Sequence, residues 1–329
     1  MEQHSLSLEL TTHCQQNCLH CFARTDSTGF THMPYSLALE AMDEGLAMGF
    51  ERLHLTGGEI FLYPRLFDVI DEAQKRGYGS VFINTNGHLI DSEAAERLAE
   101  RSNVEISLSL NGGEKHHDAI RGAGAYRAAR RGLEKALEKE IPVHVFTVAD
   151  RNNLEQIPRF ADDLFKKHPK ICDITFIQLR SGPEGEERKL SPEDYVSLVR
   201  MTALMVMGGY AVNILENPLS TALALKMGFS HLPPSLPISR EGRILIFADG
   251  TIGDNHSSDR RFGPYEPGNL AGIYNSSRFA AVRTEGQEIC ACCPHIEDCR
   301  KGGLMKPSDQ AHNTEPYDIP FCRKTMDLL

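Results

Sequence analysis

The sequence predicts an α/β fold, an open, partial (β/α)6 barrel followed by a small cysteine-rich extension that contains a β-hairpin. Three observations carry this expectation. Short β-rich runs alternate with helix-period segments six times within the first 208 or so residues. Such alternation requires parallel strands joined by right-handed crossovers, and six units are too few to close an eight-stranded barrel. Beyond about residue 208 the alternation stops, a Pro-rich stretch follows, and five of the nine cysteines gather in the last 40 residues.

The units follow in order. SLSLEL (5–10) alternates strictly and leads to a helix near 36–48; RLHL (52–55) leads to 66–76, and SVFIN (80–84) to 91–100. NVEISLSL (103–110) precedes the charged helical pattern AYRAARRGLEKALEKE (125–140), VHVFTV (143–148) precedes 154–167, and DITFIQL (173–179) precedes 192–207. In parallel α/β folds the site lies at the C-terminal ends of the strands, so loops starting near residues 11, 56, 85, 111, 149 and 180 should face the substrate. HLPPSLP (231–237) reads as a connector, and RILIFADGTIGD (243–254) as a hairpin turning at Asp249-Gly250. The expected organisation is a barrel over 1–208, a linker or helical connector over 209–236, and a metal-stapled module over 237–329.

Lys plus Arg number 35 against 45 Asp plus Glu, a formal net charge of −10, and no long basic run occurs. Nucleic acid and anionic membranes are therefore not expected partners. The N-terminus lacks a charged segment followed by an apolar one, and no 18-residue apolar run exists, which reads as a soluble cytoplasmic protein.

The cysteines, at 14, 18, 21, 172, 290, 292, 293, 299 and 322, are odd in number and tightly clustered. Without a secretion signal, that fits thiolate ligation of metal better than a disulfide framework. LTTHCQQNCLHCF (10–22) sets Cys14, Cys18 and Cys21 in a C-x3-C-x2-C loop directly after the first strand. A structural zinc site needs four ligands, and His13 and His20 are awkwardly adjacent to the cysteines; three thiolates on one loop suit a [4Fe–4S] cluster with one open iron.

This loop, followed by the aromatic Phe22, resembles the radical S-adenosylmethionine (SAM) superfamily. The resemblance extends to Thr56, Gly57, Gly58 and Glu59, which look like the family's Gly-Gly-Glu motif, and to NTNG (84–87), SLNG (109–112), HHDAIR (116–121) and RNNLEQI (151–157). It implies that the backbone and carboxylate of the Gly-Gly-Glu motif receive the methionine ammonium of SAM. It also implies that Ser109 touches the ribose or carboxylate, Arg121 pairs with the carboxylate, and Leu179 lines the adenine pocket. Asn111 stands where the pattern commonly has Asp. The implied chemistry is reductive cleavage of SAM to a 5′-deoxyadenosyl radical that abstracts hydrogen from an unactivated carbon.

The tail, about 236–329, resembles the extension called SPASM or its shorter twitch relative. ISREGRILIFADGTIGDN (238–255) looks like the segment that carries two cysteines, but Ser239 and Asn255 stand in their places, and Gly303 stands at another ligand position. The resemblance thus implies that the auxiliary cluster nearer the barrel is absent and that Cys290, Cys293, Cys299 and Cys322 hold a second [4Fe–4S] cluster; a zinc ribbon is the alternative. Cys292 is either a bystander or a hydrogen-atom donor, and Cys172 reads as a core residue. Asp254, His256 and Asp259 are substrate contacts or a solvated loop.

The expected function is that of a radical SAM oxidoreductase or maturase acting on a natural-product intermediate, either a ribosomal peptide precursor or a small molecule such as an aminosugar. Epimerisation, dehydrogenation, decarboxylation or cross-linking would follow hydrogen abstraction. Expected partners are an electron donor such as flavodoxin or ferredoxin and, for a peptide, a separate leader-recognition protein. The competing reading is a non-catalytic iron–sulfur or zinc-binding regulator.

Overall fold

The structure, a computed structural model, describes residues 4–21, 29–179, 186–235, 242–256, 258, 260–284, 290–301 and 319–329. The first half alternates β1 (Ser5–Thr11), α1 (Tyr35–Ala47), β2 (Arg52–Gly57), α2 (Leu66–Arg76), β3 (Ser80–Thr85), α3 (Ser92–Ala99) and β4 (Val104–Ser109). Two helices, α4 (Glu114–Arg121) and α5 (Ala125–Glu138), precede β5 (Val143–Ala149); α6 (Ile157–Lys167), β6 (Asp173–Gln178) and α7 (Pro192–Met207) complete the six units. The expected connector is not only a linker. It holds a seventh strand, β7 (Val212–Leu215), paired in parallel with β6, and then α8 (Leu219–Lys226). Among the described residues, no helix is long and apolar enough to cross a membrane.

Strand alternation sorts the side chains into two layers. Leu6, Leu8 and Leu10 of β1, and Leu53 and Leu55 of β2, are fully buried under the helices, while Ser5, Ser7, Glu9 and His54 point to the other face of the curved sheet. The helices answer with apolar stripes: Leu66, Val69, Ile70 and Ala73 of α2 recur at helical spacing, and Gly77 closes that helix in the left-handed region. Ser191 and Asp194 form a capping box on α7, with Pro192 at its first position.

The tail joins the same sheet. β8 (Arg243–Ile246) pairs in parallel with β1, Leu8 facing Ile246, and turns antiparallel into β9 (Thr251–Gly253), which pairs with β10 (Gly263–Pro264). The order is β10-β9-β8-β1-β2-β3-β4-β5-β6-β7. One carboxylate fastens this edge to α1: Glu44 accepts hydrogen bonds from Tyr265 Oη at 2.7 Å, Gly268 N at 2.5 Å and Leu270 N at 3.1 Å, where α9 (Leu270–Tyr274) begins. The last elements, α11 (Ile296–Lys301) and α12 (Ile319–Met326), follow α10 (Ser277–Thr284). Phe321 meets Tyr195 of α7 with ring centroids 5.7 Å apart, and Lys226 of α8 donates to Met326 O at 2.8 Å.

Candidate active site

The loop of Cys14, Cys18 and Cys21 leaves the C-terminal end of β1, the end at which parallel sheets carry their sites. It is held from three sides. Gly58 N donates to Thr11 O and Glu59 N to His13 O, both at 2.7 Å, and Leu19 N donates to Ile120 O of α4 at 3.0 Å. A Cβ added at Gly57 would lie 2.4 Å from Thr11 O, and one at Gly58 2.4 Å from His13 O, so only glycine fits either position. The two glycines therefore allow close approach to the loop's own backbone.

Glu59 is fully buried, and both its oxygens are occupied within the protein. Its carboxylate accepts from Thr85 Oγ1 at 2.7 Å, Asn86 N at 2.8 Å and Phe61 N at 3.3 Å. The carboxylate thereby braces the β2 and β3 loops. Burial nevertheless raises its pKa above the usual carboxylate range, against these hydrogen bonds.

The three thiols lie within electrostatic reach of one another. Burial first, then Glu59, Cys18 and Cys21, push the Cys14 thiol up to about 11, although Gln16 N donates to its sulfur at 3.4 Å. A thiol so placed gives up its proton when iron supplies the compensating charge. Arg121, the last residue of α4, leans over the loop: Nη1 reaches Gln16 Oε1 at 3.4 Å and Cys18 Sγ at 3.8 Å, while Nε is buried without a hydrogen-bond partner. Those donors fit a carboxylate. Ser109 is half-buried at the end of β4, Thr56 is buried, and Leu179 is buried after β6 with its N on Ala149 O at 2.9 Å. Phe22 lies outside the described residues.

Of the polar groups at this end of the barrel, Asp150 escaped the sequence reading and Asn111 did not. Asn111 Oδ1 accepts from Val148 N at 3.1 Å and its backbone N donates to His117 Nδ1 at 3.0 Å, while its Nδ2 is buried without a hydrogen-bond partner. Burial, with Arg121 nearby, lowers the His117 imidazole to about 3, which keeps it neutral. Asp150, at the end of β5, is paired with Arg188 at 2.6 Å and lies 3.6 Å from His116. Only the position of Asp150 at a strand end could have flagged it.

In the tail, the structure brings Cys290, Cys293, Cys299 and Cys322 together. Burial first, then the thiols of Cys322, Cys293 and Cys290, push Cys299 up to about 12. Cys292 is exposed, and it acts on Cys290 and not on Cys299. Cys172 is exposed, not a core residue, because it precedes β6 and so falls outside the pleat that would turn it inward. Asp254 and Asn255 are buried and bonded to each other at 2.8 Å, which excludes a solvated loop there. Burial, with Arg243 and Arg261, lowers the neighbouring His256 to about 3. Ser239, Asp259 and Gly303 lie outside the described residues.

Residues 8–164 match the family described as the radical SAM superfamily. This segment is a radical SAM domain. The domain carries the loop of Cys14, Cys18 and Cys21, the Gly-Gly-Glu turn and Arg121. The AdoMet-dependent heme synthase of Methanosarcina barkeri is 30% identical over 193 residues, 58% of this chain and 55% of that protein. The chain thus spans about half the length of that relative. The mycofactocin maturase of Mycobacterium ulcerans is 27% identical over 314 residues, 91% of this chain and 82% of that protein. Native anSMEcpe with bound AdoMet and Kp18Cys peptide shares the fold, with a TM-score of 0.73 and 18% identity over 98% of this chain and 96% of that one.

Proposed function

We propose that the protein is a radical SAM enzyme that modifies a peptide, with Cys14, Cys18 and Cys21 holding a [4Fe–4S] cluster whose fourth iron is open. The observation that carries this is the Arg121 guanidinium, poised with an unmatched buried Nε beside three thiols on one glycine-backed loop. Bound there, the cluster would supply the electron that cleaves S-adenosylmethionine. The chain's own residues do the placing: Arg121 and Ser109 take the carboxylate or ribose, the backbone of Thr56–Glu59 takes the ammonium, Leu179 lines the adenine site, and Glu59 holds the turn rigid. Cys290, Cys293, Cys299 and Cys322 hold a second cluster, a reading favoured by the other three thiols acting on the buried Cys299.

Peptide modification is supported by the maturase relative, aligned along most of both chains, and by the peptide held in a neighbour of the same fold. Cys292, the thiol considered as a hydrogen donor, is exposed, which favours an outcome that removes electrons (dehydrogenation, decarboxylation or cross-linking) over epimerisation. A flavodoxin or ferredoxin would supply electrons, and a separate protein would present the peptide's leader. Anaerobically reconstituted protein given dithionite and SAM is expected to form 5′-deoxyadenosine, and Cys14→Ala to form none. Failure of the intact protein, with peptide present, would leave the regulator reading.

A further inference from the structure

The inward side chains also enclose a cavity of about 370 Å³ toward the N-terminal ends of the strands, away from the cysteine loop. It shares no lining residue with the SAM contacts named above. Two of its charges are matched, Arg52 with Glu105 at 3.2 Å and His144 with Asp173 at 2.7 Å, the Arg52 guanidinium also lying 4.4 Å from the centre of the Phe82 ring, and Arg243 and Glu216 add one charge of each sign, so the lining carries no net excess to attract an ion. A charged ligand would lose its hydration there without finding an opposite charge to itself.

What the lining offers is uncharged. Phe82 and Phe146 stand with ring centroids 6.2 Å apart, and Asn84 and Asn213 bring amides. His54 has Nδ1 3.1 Å from Ser7 Oγ, but its Nε2 is buried without a hydrogen-bond partner. Burial, reinforced by Arg243 and His256, holds this imidazole well below its usual value, so it is neutral. Asn84 is near enough to act on the ring as a hydrogen-bonding side chain, yet no partner meets Nε2 with hydrogen-bond geometry, so it is open to a ligand as donor or acceptor. Glu216, which also lines the cavity, adopts φ of +71°, a left-handed conformation that side-chain-bearing residues keep mainly where a site demands it.

We propose that this cavity binds a short, uncharged segment of the peptide substrate, an apolar side chain lying against Phe82 and Phe146 and a backbone amide meeting His54 Nε2. The assignment rests on the peptide reading above, and its ligand is a chain of amides, not a sugar.

The chain contains no tryptophan, so Phe146→Trp installs a single fluorescent reporter in the wall. In the reconstituted protein, N-acetyl-Ala-Leu-Ala-amide should shift its emission saturably. N-acetyl-Ala-Glu-Ala-amide should bind about tenfold more weakly or worse, glucosamine should give no shift, and adding His54→Ala should weaken the leucyl probe about tenfold, the scale of one lost buried hydrogen bond. Phe82→Trp repeats the measurement if the first reporter melts early. The proposal is overturned by the lack of a saturable shift in both reporters, by equal binding of the glutamyl probe or of glucosamine, or by binding indifferent to His54. Formation of 5′-deoxyadenosine is measured separately. Cleavage without probe binding sinks the cavity assignment alone, and probe binding without cleavage sinks the reaction alone.

Discussion

The loop of Cys14, Cys18 and Cys21 hangs from the middle of the sheet and is gripped by Gly58, Glu59 and Ile120, whereas Cys290, Cys293, Cys299 and Cys322 come from two separate stretches of tail with helices of six and eight residues. In the first region the protein shapes the site, so three thiols suffice and a fourth iron position stays open. In the second, the proposed cluster would be closed by four thiols and would tie those two stretches to each other. A scaffolded site gains reactivity from metal, and an unscaffolded one gains structure.

That contrast can be broken by experiment, and the largest effect belongs to the loop. Cys14→Ala should cut 5′-deoxyadenosine formation by on the order of 10³-fold or more, while the melting temperature moves by no more than about 2 °C. A collapse in stability would show that the loop too depends on its metal. Next, Cys322→Ala should remove about four irons per chain and speed amide hydrogen exchange in 290–301 and 319–326, with β1 to β7 unchanged; protection retained in the tail would end the distinction. Arg121→Lys keeps the charge but loses the fork, and should raise KM for SAM about tenfold with a smaller change in kcat.

A last test bears on the scaffold itself. Burial opposes charge on His144, yet hydrogen bonds to Asp173 and Glu105 push it up to about 9 from an ordinary 6.5. Because the folded value is raised, its stabilisation is complete below about pH 6.5 and fades as pH rises through about 9. Chemical denaturation should show a loss of roughly 3 kcal/mol over that window, flattened in His144→Gln.

The strands of the barrel were legible because alternation is local: SLSLEL and VHVFTV announce which residues turn toward the helices, and β1 and β5 begin where those runs do. β7 was not, since four residues of VNIL make too short a signal, and neither was the pairing of β8 with β1, which joins residues more than two hundred positions apart. In the site, residue type and spacing pointed to the right loop, but the role of Glu59 depended on Thr85 and Asn86 arriving from another strand. Cys292 and Cys293 are neighbours that spacing cannot separate; a single turn of backbone exposes one and half-buries the other.

The place of β1 between β2 and β8 also sets a schedule. While a ribosome is still making the chain, β1 can find β2 early, but its other edge has no partner until Ile246 has emerged. For most of synthesis the strand that carries the cysteine loop is a bare edge, open to mispairing. The residues that grip its loop, Gly58, Glu59 and Ile120, are made early, so a late tail leaves the strand exposed while the loop is already held.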